Sequence, residues 1–342
     1  MGIGDLPPGP HNAITDVPGV EVGHATVTRD QPTVVRTGVT MVVPRPDVWS
    51  DYVFAAWHNF SGNGEMTGLP WVEESGLIGA PIGITNTHQV GLVRDFIIRR
   101  AEELGVHQAF HLPVVAETWD GWLSDIGAFA LTEDDVRAAL DRASGGTVAE
   151  GCVGGGTGMI CHEFKGGIGT SSRIVDTGHG RYTLGVLVQA NYGRRADLRV
   201  DGRPVGRLIG KDRVPSPWDE PPSGGSIIVI VATDAPLLPI QCRRLVKRVT
   251  VGLGRAGGYG HDSSGDIFLA FSTGNHLPSK PKGAWALQAL AMDQLDGLFH
   301  AVADATEESI LNALCAAETT TGQRGRIAHA IPLDDLAAVI AG

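Results

Sequence analysis

Pro221-Pro222-Ser223-Gly224-Gly225-Ser226 runs without a break into Ile227-Ile228-Val229-Ile230-Val231-Ala232-Thr233. A turn-forming stretch ends at a hydroxyl, and that hydroxyl opens a run of β-branched residues long enough for a buried strand. Two readings fit the junction. In the plain one, a glycine loop enters a core strand. In the sharper one, the chain cuts itself there. Ser226 Oγ attacks the Gly225 carbonyl in an N→O acyl shift, water releases the ester, and Ser226 becomes a new N-terminus. Gly224 and Gly225 suit this, because an unsubstituted backbone bends toward the following hydroxyl. The freed α-amine has an ordinary pKa of about 7.7–8.0, so nucleophile and base would share one residue.

Outward from that run, further strands are expected at 39–44, 81–87, 112–117, 182–191 and 265–273, the fourth ending at Asn191 and the third at Glu117. Helical spacing covers 90–104 and 239–252, and Thr132 reads as the N-cap of a helix through Ala143. Two more helices are expected at roughly 284–302 and 306–317. Residues 59–68 read as a glycine-rich loop and pocket wall, and the polar, proline-rich residues 194–222 as an exposed linker. Residues 151–173 are dense in glycine but lack the spacing of a phosphate-binding loop, so close backbone packing is the better reading. Strands early and helices late predict an α+β protein of stacked layers, with at least one sheet buried on both faces.

The 342 residues are 42% hydrophobic, enough for a large core. A formal charge of −11 argues against a nucleic-acid partner. The four cysteines form no CxxC pair and read as reduced. Neither a secretory signal nor an apolar run of membrane length is evident, so a cytoplasmic protein without a membrane partner is expected. Twelve histidines are scattered without His-Glu-x-x-His or His-x-His spacing, which leaves metal and cofactor without support. There is no Gly-x-Ser-x-Gly elbow for a Ser-His-Asp triad, and His261-Asp262 beside Ser263 is adjacency rather than geometry. Ser264-Gly265-Asp266 is the stronger constellation. At spacing two on an extended segment, its hydroxyl and carboxylate project to one side and could relay a proton to a nucleophile.

Several segments together resemble the L-aminopeptidase/D-Ala-esterase/amidase family, which includes the β-peptidyl aminopeptidases (peptidase family S58). They are Asn12-Ala-Ile-Thr-Asp-Val-Pro-Gly-Val20, Gly62-Asn-Gly-Glu-Met-Thr-Gly68, 81–87, Glu117-Thr-Trp-Asp-Gly121, Lys165-Gly-Gly-Ile-Gly-Thr-Ser-Ser-Arg173, Gln189-Ala-Asn-Tyr-Gly193, Gly225-Ser226 and 264–273. Their order and number carry the resemblance, which spans almost the whole chain. It implies a four-layer αββα sandwich like the N-terminal-nucleophile hydrolases, with different strand connectivity. It implies one catalytic domain, 1–342, cut between Gly225 and Ser226 into an α chain, 1–225, and a β chain, 226–342. By the same resemblance Ser226 is the nucleophile, Ser264 and Asp266 assist it, and Asn191 donates to the oxyanion. Glu117 pairs with the substrate ammonium, while Lys165 orients Asn191 or supports self-cleavage. Some relatives place a tyrosine hydroxyl at the oxyanion, where this chain offers Trp119 or Trp122.

The expected substrates are short peptides, amides or esters with small N-terminal residues (L-Ala, Gly, D-Ala or β-amino acids), and the expected assembly is a homo-oligomer, a tetramer of αβ units. Two other readings are an amidase for nylon-type oligomers and a non-catalytic binding protein on the same fold. Acetyl transfer onto an amino acid, known in relatives with a threonine nucleophile, is disfavoured by Ser226.

Overall fold

The computed structural model describes residues 2–106, 108–218 and 225–341. Residues 221–224 of the junction lie outside the described residues. In chain order the strands are β1 (Glu21–Arg29), β2 (Val35–Val43), β3 (Asp51–Gly62), β4 (Leu77–Ile78), β5 (Ile82–Asn86), β6 (Val115–Thr118), β7 (Ile160–Cys161), β8 (Phe164–Lys165), β9 (Gly167–Asp176), β10 (Arg181–Asn191), β11 (Gly225–Thr233), β12 (Ser264–Pro278), β13 (Thr320–Thr321) and β14 (Ile327–Ala328). The helices are α1 (Leu69–Ser75), α2 (Val90–Glu103), α3 (Glu133–Asp141), α4 (Val205–Leu208), α5 (Pro239–Val246), α6 (Val249–Arg255), α7 (Asp296–Cys315) and α8 (Leu333–Ala341).

The run after Ser226 becomes β11, inside a six-stranded sheet ordered β4-β3-β12-β11-β10-β9. Its residues alternate between two cores, as strand geometry requires. Ile227, Val229 and Val231 pack with Leu245, Leu253 and Val302 of the helices α5–α7. Ile228, Ile230 and Ala232 pack with Val42, Ile82 and Ala116 of a second sheet, ordered β1-β2-β5-β6. The far side of that second sheet packs its Met41 and Val115 against Val93, Phe96 and Val136 of α2 and α3. Three cores between four layers make the αββα sandwich, and the strand apolar on both faces lies at its centre.

Local signals behave as their chemistry predicts at several points. Thr132 caps α3 by accepting from the Asp135 amide at 3.3 Å, while the Asp135 carboxylate accepts from the Thr132 amide at 2.9 Å. The glycines of β9 admit α7: a Cβ on Gly169 would sit 1.9 Å from the Ser309 carbonyl oxygen.

Four expectations are corrected. Residues 59–62 are strand rather than loop, because Ser61 and Gly62 pair with Asp266 and Gly265. The 239–252 helix is broken into α5 and α6. Residues 194–218 are not an exposed linker, since Leu198, Val200 and Ile209 are buried. Arg195, 2% exposed, ties them down by donating to the carbonyls of Glu163 (2.7 Å), Val214 (3.1 Å) and Ile209 (3.3 Å) while lying over the Phe164 ring. Finally, the two late helices are one, α7, and residues 285–291 are irregular. There the backbone hydrogen bonds go elsewhere: Gln288 exchanges bonds with the Asn275 side chain, and the Leu290 amide donates to the Pro236 carbonyl.

Candidate active site

The register of the six-stranded sheet assembles the site. Ser226, at the head of β11, pairs with Asn191, the last residue of β10, and with Gly265 of β12. By alternation the side chains of Ser226 and Asn191 share the face that carries Ile228, toward the second sheet. They line one cavity of about 590 Å³ with Glu117, Trp119 and Trp122. Ser226 is 4% exposed, and among the described residues its hydroxyl makes no hydrogen bond.

The Asn191 amide is held at both ends. Its Oδ1 accepts from the Ile160 amide at 2.8 Å, and its Nδ2 donates to the Trp119 carbonyl at 3.0 Å. One Nδ2 hydrogen is left for a ligand. Glu117, at the end of β6, is 4% exposed. Its Oε1 accepts from the Glu65 amide at 3.0 Å and its Oε2 from the Thr87 hydroxyl. Burial pushes the Glu117 carboxyl up, and the nearby Glu65 charge adds to this, while the two hydrogen bonds oppose it. Gly64 is what lets the loop through: a Cβ there would lie 3.1 Å from both Glu117 Oε1 and Gly265 Cα.

Of the other sequence candidates, Ser264, Asp266 and Lys165 lie outside the cavity lining, while Trp119 and Trp122 are part of it. Ser264 Oγ donates to Asp266 Oδ1 at 2.6 Å. The pair shares the face of Ile227 and Phe268, opposite the Ser226 side chain, so its access to Ser226 is from the backbone side. Burial pushes Asp266 up to about 6, against the Ser264 hydroxyl and the Ile227 amide. Lys165 is fully buried, and its Nζ donates to the carbonyls of Gly166 (2.8 Å) and Gly156 (3.3 Å). It reaches Asn191 only indirectly: Lys165 pairs with Ile160, whose amide holds the Asn191 oxygen. The Trp119 indole folds back over Gly121, where a Cβ would lie 2.5 Å from its ring. Trp122 meets Trp218 edge-on at 5.2 Å and is backed by the Arg326 guanidinium at 3.9 Å. Tyr192 does not supply a hydroxyl beside Asn191, because its ring packs in the helix-side core next to His162. His261 contributes its carbonyl, which accepts from the Ser264 amide at 2.8 Å.

Sequence reasoning missed Glu65 and Trp218, both on the cavity wall. A tryptophan within a polar, proline-rich stretch was the available signal for the second. Glu65 stood in a segment already read as a pocket wall without being singled out. Among the described residues no three His, Cys, Asp or Glu side chains group as a metal site, and no helix is long and apolar enough to cross a membrane.

Comparison with known proteins agrees over nearly the whole chain. A sequence model of peptidase family S58 matches residues 12–328. The beta-peptidyl aminopeptidase of Sphingosinicella microcystinivorans is 44% identical, over 97% of this chain and 88% of its own. A beta-aminopeptidase from a Burkholderia species superposes with a TM-score of 0.94 at 47% identity, covering 99% of this chain and 96% of that one. The L-aminopeptidase D-Ala-esterase/amidase of Ochrobactrum anthropi, described as a variant of the Ntn hydrolase fold, gives 0.93 at 41%, with the same coverage. With its αββα layers and its serine cavity, the chain belongs to peptidase family S58 and is a serine-type peptidase or amidase.

Proposed function

We propose that this protein is an autoprocessed aminopeptidase and amidase with Ser226 as its nucleophile. It would release small N-terminal residues, β-amino acids among them, from short peptides, amides and esters. The observation that carries this reading is one cavity in which Ser226 stands in register with the fixed amide of Asn191, while the buried carboxylate of Glu117 faces the same space. The names of the similar proteins support the amine-terminal specificity and bring β-amino acids into range.

In the precursor, Ser226 Oγ attacks the Gly225 carbonyl, and the peptide nitrogen leaves as the Ser226 amine. Water then cleaves the ester to give the Gly225 carboxylate. In the mature enzyme the neutral α-amine takes the Ser226 hydroxyl proton as Oγ attacks the substrate carbonyl. The oxyanion meets the free Nδ2 hydrogen of Asn191, a donor of a kind that contributes about 3 kcal/mol to the transition state. The resulting α-ammonium protonates the departing amine, and water resolves the acyl-enzyme. Glu117 holds the substrate ammonium through a charge-assisted pair and so fixes the carbonyl over Ser226.

Intact-mass measurement of the purified protein tests the cut. Two polypeptides meeting at Gly225 and Ser226 are expected from the wild type, and one inactive, uncut chain from Ser226→Ala. A fully active, uncut wild type would overturn the proposal.

A further inference from the structure

The cavity carries more negative charge than one substrate amine can neutralise. Glu65 and Glu117 both line it, and among the described residues no Lys, Arg or His lines it. Glu65 is exposed, and among the described residues its carboxylate makes neither hydrogen bond nor ion pair. Its backbone amide lies 3.0 Å from Glu117 Oε1, so it sits beside the group assigned to the substrate's terminal ammonium. By that assignment the Glu65 backbone stands at the amine end of the cavity, on the acyl side of the scissile bond. Burial is the main cause of the upward push on the Glu117 carboxyl, and the charge of Glu65 adds a smaller push in the same direction. With the Ser226 amine neutral, as the proposed chemistry requires, a monocation leaves the site at about −1, and a cleft of one sign concentrates further cations.

We propose that Glu65 gives the amine end of the cavity a second cation subsite, which selects N-terminal residues bearing a side-chain ammonium: 2,4-diaminobutyryl, ornithyl or lysyl groups. This rests on Glu117 binding the terminal amine. The second pair is solvent-exposed, so its effect is modest and sensitive to salt.

Mature enzyme is assayed with the p-nitroanilides of alanine and of the three diamino acids. The best diamino substrate should exceed alanine in kcat/KM by a ratio that falls about two- to fivefold in Glu65→Gln, as expected for an exposed ion pair. Glu65→Lys should lower the ratio further, and raising the salt from ~20 mM to ~300 mM should shrink it in wild type but not in Glu65→Gln. Binding of 1,3-diaminopropane and propylamine, followed by NMR titration, reads the same subsite without any chemistry. The diamine should bind more tightly in wild type, and this advantage should vanish in Glu65→Gln. A substrate ratio that Glu65→Gln leaves unchanged, or a wild type that does not discriminate diamine from monoamine, overturns the proposal. Loss of the wider reading would look different: alanyl anilide hydrolysis surviving Ser226→Ala would remove the nucleophile while leaving the diamine titration to judge Glu65.

Discussion

Asp266 is 1% exposed, and burial pushes its carboxyl up to about 6. Above that pH it is an anion facing the backbone side of Ser226, where the proposed cut would leave a new α-amine. An anion there favours the ammonium and so raises the pH at which the amine becomes a usable base. In Asp266→Asn this attraction is gone. The rise of kcat/KM with pH should then move to lower pH by about one unit, the size expected for a single nearby charge. A pH–rate profile of both proteins on one ester substrate checks this, and His261→Ala should leave the limb where it is. If His261→Ala abolished the limb while Asp266→Asn left it unmoved, the amine would not be the base. Ser226, Asn191 and Glu117 stood out singly as polar residues at the ends of apolar strands, while the roles expected of Asn191 and Glu117 came from the family resemblance. Which face Ser264 and Asp266 occupy was not legible, since that depends on the register of β12 against β11.

At the scale of elements, the contact between β9 and α7 is a close packing that only glycine allows. A methyl on Gly169 would meet the Ser309 carbonyl oxygen at 1.9 Å and the Ala313 amide nitrogen at 2.6 Å, both backbone atoms that cannot swing away. Gly169→Ala should therefore push α7 off the sheet and destabilise the protein by about 1–3 kcal/mol, the usual range for overpacking. Gly91→Ala is the control. Gly91 lies within α2 with nothing within 4 Å of a new Cβ, so the change should stabilise by about 0.5–1 kcal/mol. Urea midpoints decide, and equal midpoints for Gly169→Ala and wild type would refute the packing argument. The same comparison shows why some elements could be read and others not. The strand 227–233 and the capped helix α3 declare themselves through local periodicity and capping. Residues 284–291 have helical composition (Ala-Trp-Ala-Leu-Gln-Ala-Leu-Ala), yet most are exposed, and their backbone is bonded to Asn275 and Pro236 instead. Conversely, 195–214 look like linker because their anchor is an arginine, and nothing local reveals that its guanidinium is buried on Phe164.

Over the whole molecule, buried acids set stability against the pH that the chemistry requires. Burial pushes Asp120 and Glu150 up to about 7 and Asp266 up to about 6. Between about pH 4 and 7 the folded state therefore keeps protons that the unfolded chain has released, and each of these groups weakens the fold as pH rises. His24 and His162, pushed down to about 4 by burial, act in the opposite sense over about pH 4 to 6.5. The melting curve of the wild type mixes both sets, so the sign must be read from a variant. Asp120 is the cleanest group, being fully buried in the turn next to Trp119, whose carbonyl holds Asn191. Asp120→Asn cannot ionise, so its stability relative to wild type should improve between pH 5 and pH 8. The gain should be on the order of 2–4 kcal/mol for a shift from an ordinary 3.8 to about 7. Scanning calorimetry at the two pH values measures it. A difference between variant and wild type that is the same at pH 5 and pH 8 would mean that Asp120 does not change its charge in the folded protein over that range. If the gain appears, the same rise in pH that would free the proposed Ser226 α-amine also charges the acid next to the Trp119 carbonyl that holds Asn191. The alkaline reach of activity would then be limited by the fold, and Asp120→Asn should extend it by keeping that turn neutral.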